Sequence, residues 1–440
     1  MKRLRIKIPD KGLVIIYLAA IVCVVALMLF MGPWFTPDSP SYVSAWEDSL
    51  QKGHPDIWRT PVYPIFLGLL QAIFGAPYLK IAIIVQNLVF LVSLYFLYDV
   101  LRKVSSNGWI PFCLTLFYAL YPGVVNCNNV IMTESLAMSL MIFLIHSLFS
   151  IMTQGSWRWR SVAVFGLSLF LLVFLRPAQI YILPALLVAL GAVSLTRKYR
   201  KNLKGWLPVV GAVGVLFFFY VMHFHASFGI YSSSGISTVN QFFIARDWGL
   251  ITEDNVHNPE VGRCFVVDKW ERPAPEGRGF RETKRFYADE GKKQEMFERG
   301  GLLYKEAYDA IDAVGLAAVQ DEVHHSIQDN PRGWAKSVWG RFRLSLIEPL
   351  FYPTFNVLRF EVWFLYLLML LIAALICVDI VRARRLPWFM LTLYLMAAGN
   401  IVLVIVGAQN DWGRLCLPSV SQVLIMLGAV ADSVRYGKKK

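Results

Sequence analysis

LVIIYLAAIVCVVALMLFMG, residues 13–32, runs its whole length without a charged side chain. About 20 mostly apolar residues are what a helix needs to cross ~30 Å of bilayer hydrocarbon. Hydrocarbon offers no partner to backbone N–H and C=O groups, so such a stretch must close its own hydrogen bonds and be helical. The run is long for the apolar region of a secretory signal. Met31-Gly32-Pro33-Trp34 is also a poor cleavage site, so a retained anchor is expected.

The same pattern recurs at 81–98, 109–121, 131–150, 161–175, 180–195, 206–222, 360–381, 387–407 and 415–434. The 109–121 segment is short and meets a break at Tyr121-Pro122-Gly123, which reads as a tilted or partly irregular span. Composition agrees: 56% of residues are hydrophobic and 17% charged, and the mean hydropathy is +0.51. A soluble domain carries nearer 25% charged residues. These features predict an all-α polytopic membrane protein with about ten transmembrane helices.

The basic residues give direction. Lys2, Arg3, Arg5, Lys7 and Lys11 precede the first segment, and Arg102-Lys103 and Arg158 with Arg160 follow later ones. Arg197, Lys198, Arg200, Lys201 and Lys204 come next, then Arg382, Arg384 and Arg385, then Arg435 with Lys438 to Lys440. With ten spans all of these fall on one side, which the positive-inside rule makes cytoplasmic, together with both termini. The opposite loops, 121–129 and 406–413, hold no Lys or Arg. The net charge of +13 therefore sits beside anionic lipid. It argues for membrane lipids as partners and against nucleic acid. Six cysteines show no metal-binding spacing. Cys23, Cys113 and Cys377 read as intramembrane, whereas Cys127 and Cys264 face outside, either paired or free.

Two outside segments are large. The first, 33–80, contains an amphipathic stretch at 62–74 that reads as lying on the membrane surface. The second, 223–359, has a Pro-, Gly- and charge-rich middle at 253–285 expected to be irregular. Helical stretches at 287–312 and 316–328 follow, then a breaker at Asn330-Pro331-Arg332-Gly333 and a helix at 334–347. The chain thus divides into a transmembrane catalytic module at 1–222, an extracytoplasmic domain at 223–359 and a three-helix segment at 360–440.

Charge inside a span is costly and usually functional. Glu134, Arg176, Glu361 and Arg414 fall at outer span ends, with His223 and His225 beside them, while Asp99, Asp379 and Asp432 fall at inner ends. Transporters place substrate groups near the midplane, so polar chemistry gathered at the outer surface favours an enzyme. His54, His324 and His325 suggest no metal by spacing, because neighbours on a helix diverge by about 100°. No metal ligands and no resident cofactor are expected, with a divalent metal as the alternative.

The motifs follow in order. Thr36-Pro37-Asp38-Ser39-Pro40-Ser41-Tyr42 comes after the first span, and Arg59-Thr60-Pro61-Val62-Tyr63-Pro64 opens the amphipathic stretch. Tyr121-Pro122, Asn126 and Asn128 precede Thr133-Glu134-Ser135-Leu136, which enters a span. Arg176-Pro177 ends another, and Gly413-Arg414-Leu415-Cys416-Leu417-Pro418 begins the last. This ordered set resembles the GT-C superfamily of membrane glycosyltransferases. It is most similar to glycosyltransferase family 39 and its relatives, the bacterial protein O-mannosyltransferases and lipid A aminoarabinose transferases.

The likeness covers the layout of nearly the whole chain. It implies a GT-C-like helix arrangement with a mainly helical extracytoplasmic domain, and a place in the inner (cytoplasmic) membrane. It also implies a sugar donor on a polyprenyl phosphate, an envelope glycan, lipid or protein as acceptor, and Asp38 as catalytic base. Two positions depart from the pattern. Relatives often carry Asp-Glu where this chain has Asp38-Ser39, which leaves Glu134 as the candidate second carboxylate. The last motif is commonly Arg-Tyr, and here it is Arg414-Leu415.

The residue types suit such chemistry in their own right. Transfer to a hydroxyl needs a base to take its proton, and partial desolvation beside a membrane is expected to raise the affinity of Asp38 for a proton. A departing lipid phosphate gains charge, which the planar forks of Arg59, Arg176 and Arg414 can meet with paired hydrogen bonds. Glu134 would orient substrate or an arginine, and Tyr42 and Tyr63 would line a sugar pocket. Plainer roles stand beside these. Asp38 can cap a turn in Asp-Ser-Pro-Ser, the arginines can snorkel to headgroups, Glu134 suits a helix N-terminus, and interfacial tyrosines anchor. The predicted function is transfer of a sugar from polyprenyl phosphate to a hydroxyl. A ligase or polymerase using a diphosphate-linked glycan is the enzymatic alternative. A lipid-linked sugar flippase is the non-enzymatic one, with only Gln86, Asn87 and Asn400 at mid-span to serve it.

Overall fold

The computed structural model describes residues 11–36, 38–154, 159–194, 203–265, 291, 298, 309–348, 350, 360–383, 388–409 and 412–436. The first half contains α1 (Lys11–Met31), α2 (Ser39–Lys52), α3 (Val62–Phe74), α4 (Tyr78–Val104), α5 (Trp109–Leu120), α6 (Pro122–Cys127), α7 (Glu134–Gln154), α8 (Trp159–Leu175) and α9 (Ile182–Ser194). The second contains α10 (Leu203–Phe228), α11 (Ile236–Asp247), α12 (Pro259–Gly262), α13 (Leu316–Asp329), α14 (Pro331–Ser345), α15 (Val362–Ala383), α16 (Trp388–Gly407), α17 (Trp412–Cys416) and α18 (Val420–Tyr436).

Each apolar segment read from the sequence is helical over most of its described length. Six helices are long and apolar enough to cross a membrane: Lys11–Phe30, Tyr78–Val104, Glu134–Met152, Trp206–Phe228, Trp388–Gly407 and Trp412–Ala431. Shorter apolar helices at Trp109–Leu120, Trp159–Leu175, Pro177–Ala189 and Val362–Val378 account for the other four. Leu18, Val22, Leu29, Leu167, Phe219 and Leu370 stand exposed on these helices. So much bare apolar surface suits lipid rather than water. The protein is an all-α polytopic membrane protein.

Two expected elements are corrected. The span at 415–434 is broken: α17 ends at Cys416, and Pro418 sits in a 3-10 turn, Leu417–Ser419, before α18. Proline has no N–H to give to a helical ladder. The breaker at 330–333 is instead the start of α14. Asn330 accepts from the Gly333 N–H at 2.8 Å, and Pro331 occupies the first helical position, where its missing donor costs nothing. The stretch at 62–74 forms α3 and packs against α2 and α4. The helix expected at 287–312 and most of the irregular 253–285 lie outside the described residues. So do many of the basic residues used for orientation, and the side chains of Asp379 and Asp432.

A second apolar core forms beside the main bundle. Phe224, Val239, Phe242, Val261, Ile311, Leu316, Val319 and Val323 pack there with Ile57 of the 33–80 segment. That segment is latched at its other end too. Trp34 N–H donates to the Asn129 carbonyl at 2.8 Å and Ile131 N–H to the Trp34 carbonyl at 3.0 Å. This makes a parallel bridge between Trp34 and Val130. Ser39 Oγ then donates to the Ile131 carbonyl at 3.0 Å. The start of α2 is thereby fixed beside the start of α7.

Candidate active site

Asp38 stands immediately before α2 with helical backbone angles (φ −75°, ψ −24°), and its side chain makes no capping hydrogen bond. The turn is closed by others: Ser39 Oγ accepts from Thr36 N–H at 2.8 Å, and Ser41 Oγ donates to the Asp38 carbonyl at 2.8 Å. The carboxylate faces cations instead. Its Oδ1 accepts from Arg59 Nη2 at 2.9 Å, and its Oδ2 accepts from Arg414 Nη1 at 3.1 Å, a partner 376 positions away. Both carboxylate oxygens are thus paired with guanidinium groups.

Arg59 is held on several sides. Its Nε donates to Ser41 Oγ at 2.7 Å, and its guanidinium lies 4.1 Å over the Tyr42 ring, a cation–π contact. Its backbone N–H donates to Asp56 Oδ1 at 2.6 Å, as does that of Trp58 at 2.9 Å. This is a side-chain-closed turn of the kind aspartate favours. Burial pushes the Asp56 carboxyl up to about 6, while the two N–H bonds and the charge of Arg59 pull the other way.

Tyr63 does not line an open pocket. It is fully buried, sets its ring edge against Tyr42 at 5.2 Å, and donates its hydroxyl to Gln86 Oε1 at 2.8 Å. Gln86 Nε2 in turn donates to the Asn128 and Val130 carbonyls, each at 3.1 Å. Gln86, a mid-span polar group in the sequence reading, is a strut under the Trp34 bridge.

Glu134 opens α7, where the helix dipole favours a carboxylate, yet its charge is also met directly. Its Oε1 is 3.4 Å from Arg176 Nη2 and 3.5 Å from Arg414 Nε. Its side chain is only 3% exposed. Arg176 follows α8 and is buried, and its Nη1 has no hydrogen-bond partner among the described residues. The groups therefore form a chain, Arg59–Asp38–Arg414–Glu134–Arg176. Among the described residues this chain sets three guanidiniums against two carboxylates, and arginine forks of this kind suit a further anion.

The arginines point into this cluster rather than out to headgroups. His223 borders a cavity of about 290 Å³ together with Asp56 and Arg59. His225 stacks on Tyr231 with centroids 3.8 Å apart, and Glu361 accepts from Trp363 Nε1 at 3.0 Å. Asn126 and Asn128 are buried, and Asn128 accepts from Ser135 Oγ at 2.5 Å. All six cysteines are free, Cys127 and Cys264 included. Ser41, Asp56 and Gln86 were missed as supports. Asp56, three residues before Arg59 in a Pro-rich turn, was the readable signal.

Fold and centre define a polytopic helical membrane protein with a buried carboxylate–guanidinium chain where its helix ends meet the 33–80 segment. In the order of its motifs the chain resembles membrane glycosyltransferases of the GT-C superfamily. Among solved structures it is similar to the apo oligosaccharyltransferase of Archaeoglobus fulgidus, at 12% identity and a TM-score of 0.44, over 98% of this chain and 51% of that one. The same enzyme with an inhibitory peptide and a dolichol-phosphate matches at 12% identity and a TM-score of 0.42, over 98% and 51% of the two chains. ArnT from Cupriavidus metallidurans bound to undecaprenyl phosphate matches at 12% identity and a TM-score of 0.38, over 98% and 79%. The chain spans about half the length of the archaeal structures it matches. No family model and no curated protein matches the sequence.

Proposed function

We propose that this protein is a glycosyltransferase working at the non-cytoplasmic face of the inner membrane, with both termini cytoplasmic. It moves a sugar from a polyprenyl-phosphate donor to a hydroxyl on an envelope glycan, lipid or protein. The observation that carries this reading is Asp38, held between Arg59 at 2.9 Å and Arg414 at 3.1 Å beside the Glu134–Arg176 pair. An acid so placed takes the proton of the acceptor hydroxyl as its oxygen bonds to the anomeric carbon. The bond from that carbon to the phosphate oxygen breaks, and the lipid phosphate leaves with the electron pair. The arginines stabilise the charge it gains. Burial of Arg176, with an Nη1 donor that lacks an acceptor, supports an anion at this point. The outside segment 223–359 selects the acceptor.

The test is incubation of the purified protein with radiolabelled polyprenyl-phosphate sugars and a membrane extract, beside Asp38→Asn. Removing the base is expected to leave folding and insertion intact and to lower transfer by about 10²–10⁴-fold. An Asp38→Asn protein turning over like its parent would show the assignment to be wrong. Transfer from diphosphate-linked donors alone would make it a ligase.

A further inference from the structure

We propose that the outer helical segment carries a site for a divalent transition metal of the zinc type, formed by His257, Glu322 and His325 with Asp329 at its rim. Along α13 the last three are spaced by three and four residues, which sets them on one face of the helix. The chain ahead of α12 lays His257 across that face. The backbone N–H groups of His257 and Asn258 donate to Glu322 Oε1 and Oε2, each at 3.0 Å. Glu322 is 2% exposed, so it forms the floor of the arrangement. A carboxylate has about four lone-pair sites, and two N–H bonds leave capacity for an ion.

The separations fit coordination. His257 Nδ1 lies 3.3 Å from Glu322 Oε1. Two ligands bonded at 2.0–2.1 Å to one tetrahedral zinc sit about 3.3 Å apart. His257 Nε2, on the far side of the ring, lies 3.4 Å from Asp329 Oδ2, a partner that orients the imidazole rather than a ligand of the same ion. The ligand atoms of His257, Glu322 and His325 are all within 4.8 Å of one another. His325 is exposed, so its imidazole can swing the remaining distance, ~1.5 Å, to reach that ligand spacing. A cavity of about 310 Å³ opens here, bordered by His257, Glu322 and Asp329.

Two imidazoles with a carboxylate suit zinc, whereas calcium and magnesium prefer oxygen throughout. The neighbouring histidines could not chelate as a pair; the third donor comes from 65 positions away. An ion here ties the 257–258 turn to α13. The buried face of α13 packs through Val319 and Val323 into the core that holds Ile57, two residues before Arg59.

The test uses the full chain without a polyhistidine tag, in detergent micelles, titrated with zinc against a chromophoric chelator and with cobalt(II) by visible absorption. One equivalent is expected to bind, with the intense band of tetrahedral cobalt and a raised melting temperature. His257→Gln and His325→Gln should each melt like the metal-free parent. Each should weaken binding by more than the ~10–100-fold of an outer-shell change. His324→Gln and Asp38→Asn should bind as the parent does. No saturable binding, binding that survives both His257→Gln and His325→Gln, or binding lost in Asp38→Asn would each overturn the proposal.

Discussion

Glu134→Gln is the sharpest probe of the charge chain, because one carboxylate faces two cations. Its Oε1 lies 3.4 Å from Arg176 and 3.5 Å from Arg414, with the three side chains 3%, 7% and 14% exposed. At an effective dielectric near 20, unit charges about 3.5 Å apart interact by roughly 5 kcal/mol. Two such contacts are a large gross term, but most of it cancels against the carboxylate's own desolvation. Breaking a buried pair leaves a net loss of about 3–5 kcal/mol. The amide keeps the shape, so the loss reports charge rather than packing. Purified parent and variant are to be melted in the same detergent, with and without polyprenyl phosphate. The variant is expected to melt lower. With one negative charge removed, it should then gain more from the phosphate, up to about 2.7 kcal/mol at a hundredfold excess over Kd. If Glu134→Gln melts with the parent, Glu134 does not neutralise the arginines. If it melts lower yet gains no more from phosphate than the parent, the cluster is not an anion site.

Arg414 touches both carboxylates, which a single ammonium cannot do from one position. Arg414→Gln is expected to lower initial transfer rates by about 10²–10³-fold, and Arg414→Lys to recover only part. The Asp56 carboxyl sits at about 6 against an ordinary 3.8, so the folded chain holds this proton more tightly than the unfolded one. Its contribution to stability therefore falls as pH rises from about 4 to 6 and stays reduced above that. Asp56→Asn keeps the oxygen that Trp58 and Arg59 use, so it should melt above the parent beyond pH ~6 and converge with it toward pH ~4. Gly68→Ala drives a methyl into the Trp46 ring between α3 and α2. It is expected to cost about 1–3 kcal/mol, and transfer should fall with it, since α2 carries Ser41 and Tyr42.

The helices were legible because spanning hydrocarbon is a local demand on length and apolarity. Their ends were less so. α4 runs on from the apolar 81–98 to Val104 and takes in Arg102 and Lys103, which an apolar criterion excludes although long cationic side chains fit a helix end at the interface. The break at Pro418 was lost for a related reason. The apolar runs on either side, 415–417 and 423–427, keep the average hydropathy high, and averaging does not register one missing N–H. Asn330-Pro331 signalled a boundary correctly but not its sense. The same residue ends α13 and caps α14, so a stop and a start share one dipeptide.

The site was readable only as a set of obligations. Asp38, Glu134, Arg176 and Arg414 each stood where an unpaired charge is expensive, so each needed a partner on the same face of the bundle. The sequence offered no means to assign partners, since Arg414 meets Asp38 across 376 positions and each charge had more than one option. Tyr63 shows the same limit. An interfacial tyrosine reads alike whether its hydroxyl points to a ligand or inward, and only the Gln86 acceptor at 2.8 Å decides. Because Arg414 serves both carboxylates, the five charges cannot be valued singly. Removing one lets the rest re-pair, so effects at Asp38 and Glu134 should couple through Arg414 by about 1–3 kcal/mol and fail to add. A double-mutant cycle of Asp38→Asn with Glu134→Gln, read by melting, tests this. Simple additivity there would mean two separate ion pairs that happen to be neighbours, rather than one linked chain that joins a lipid phosphate site to Asp38.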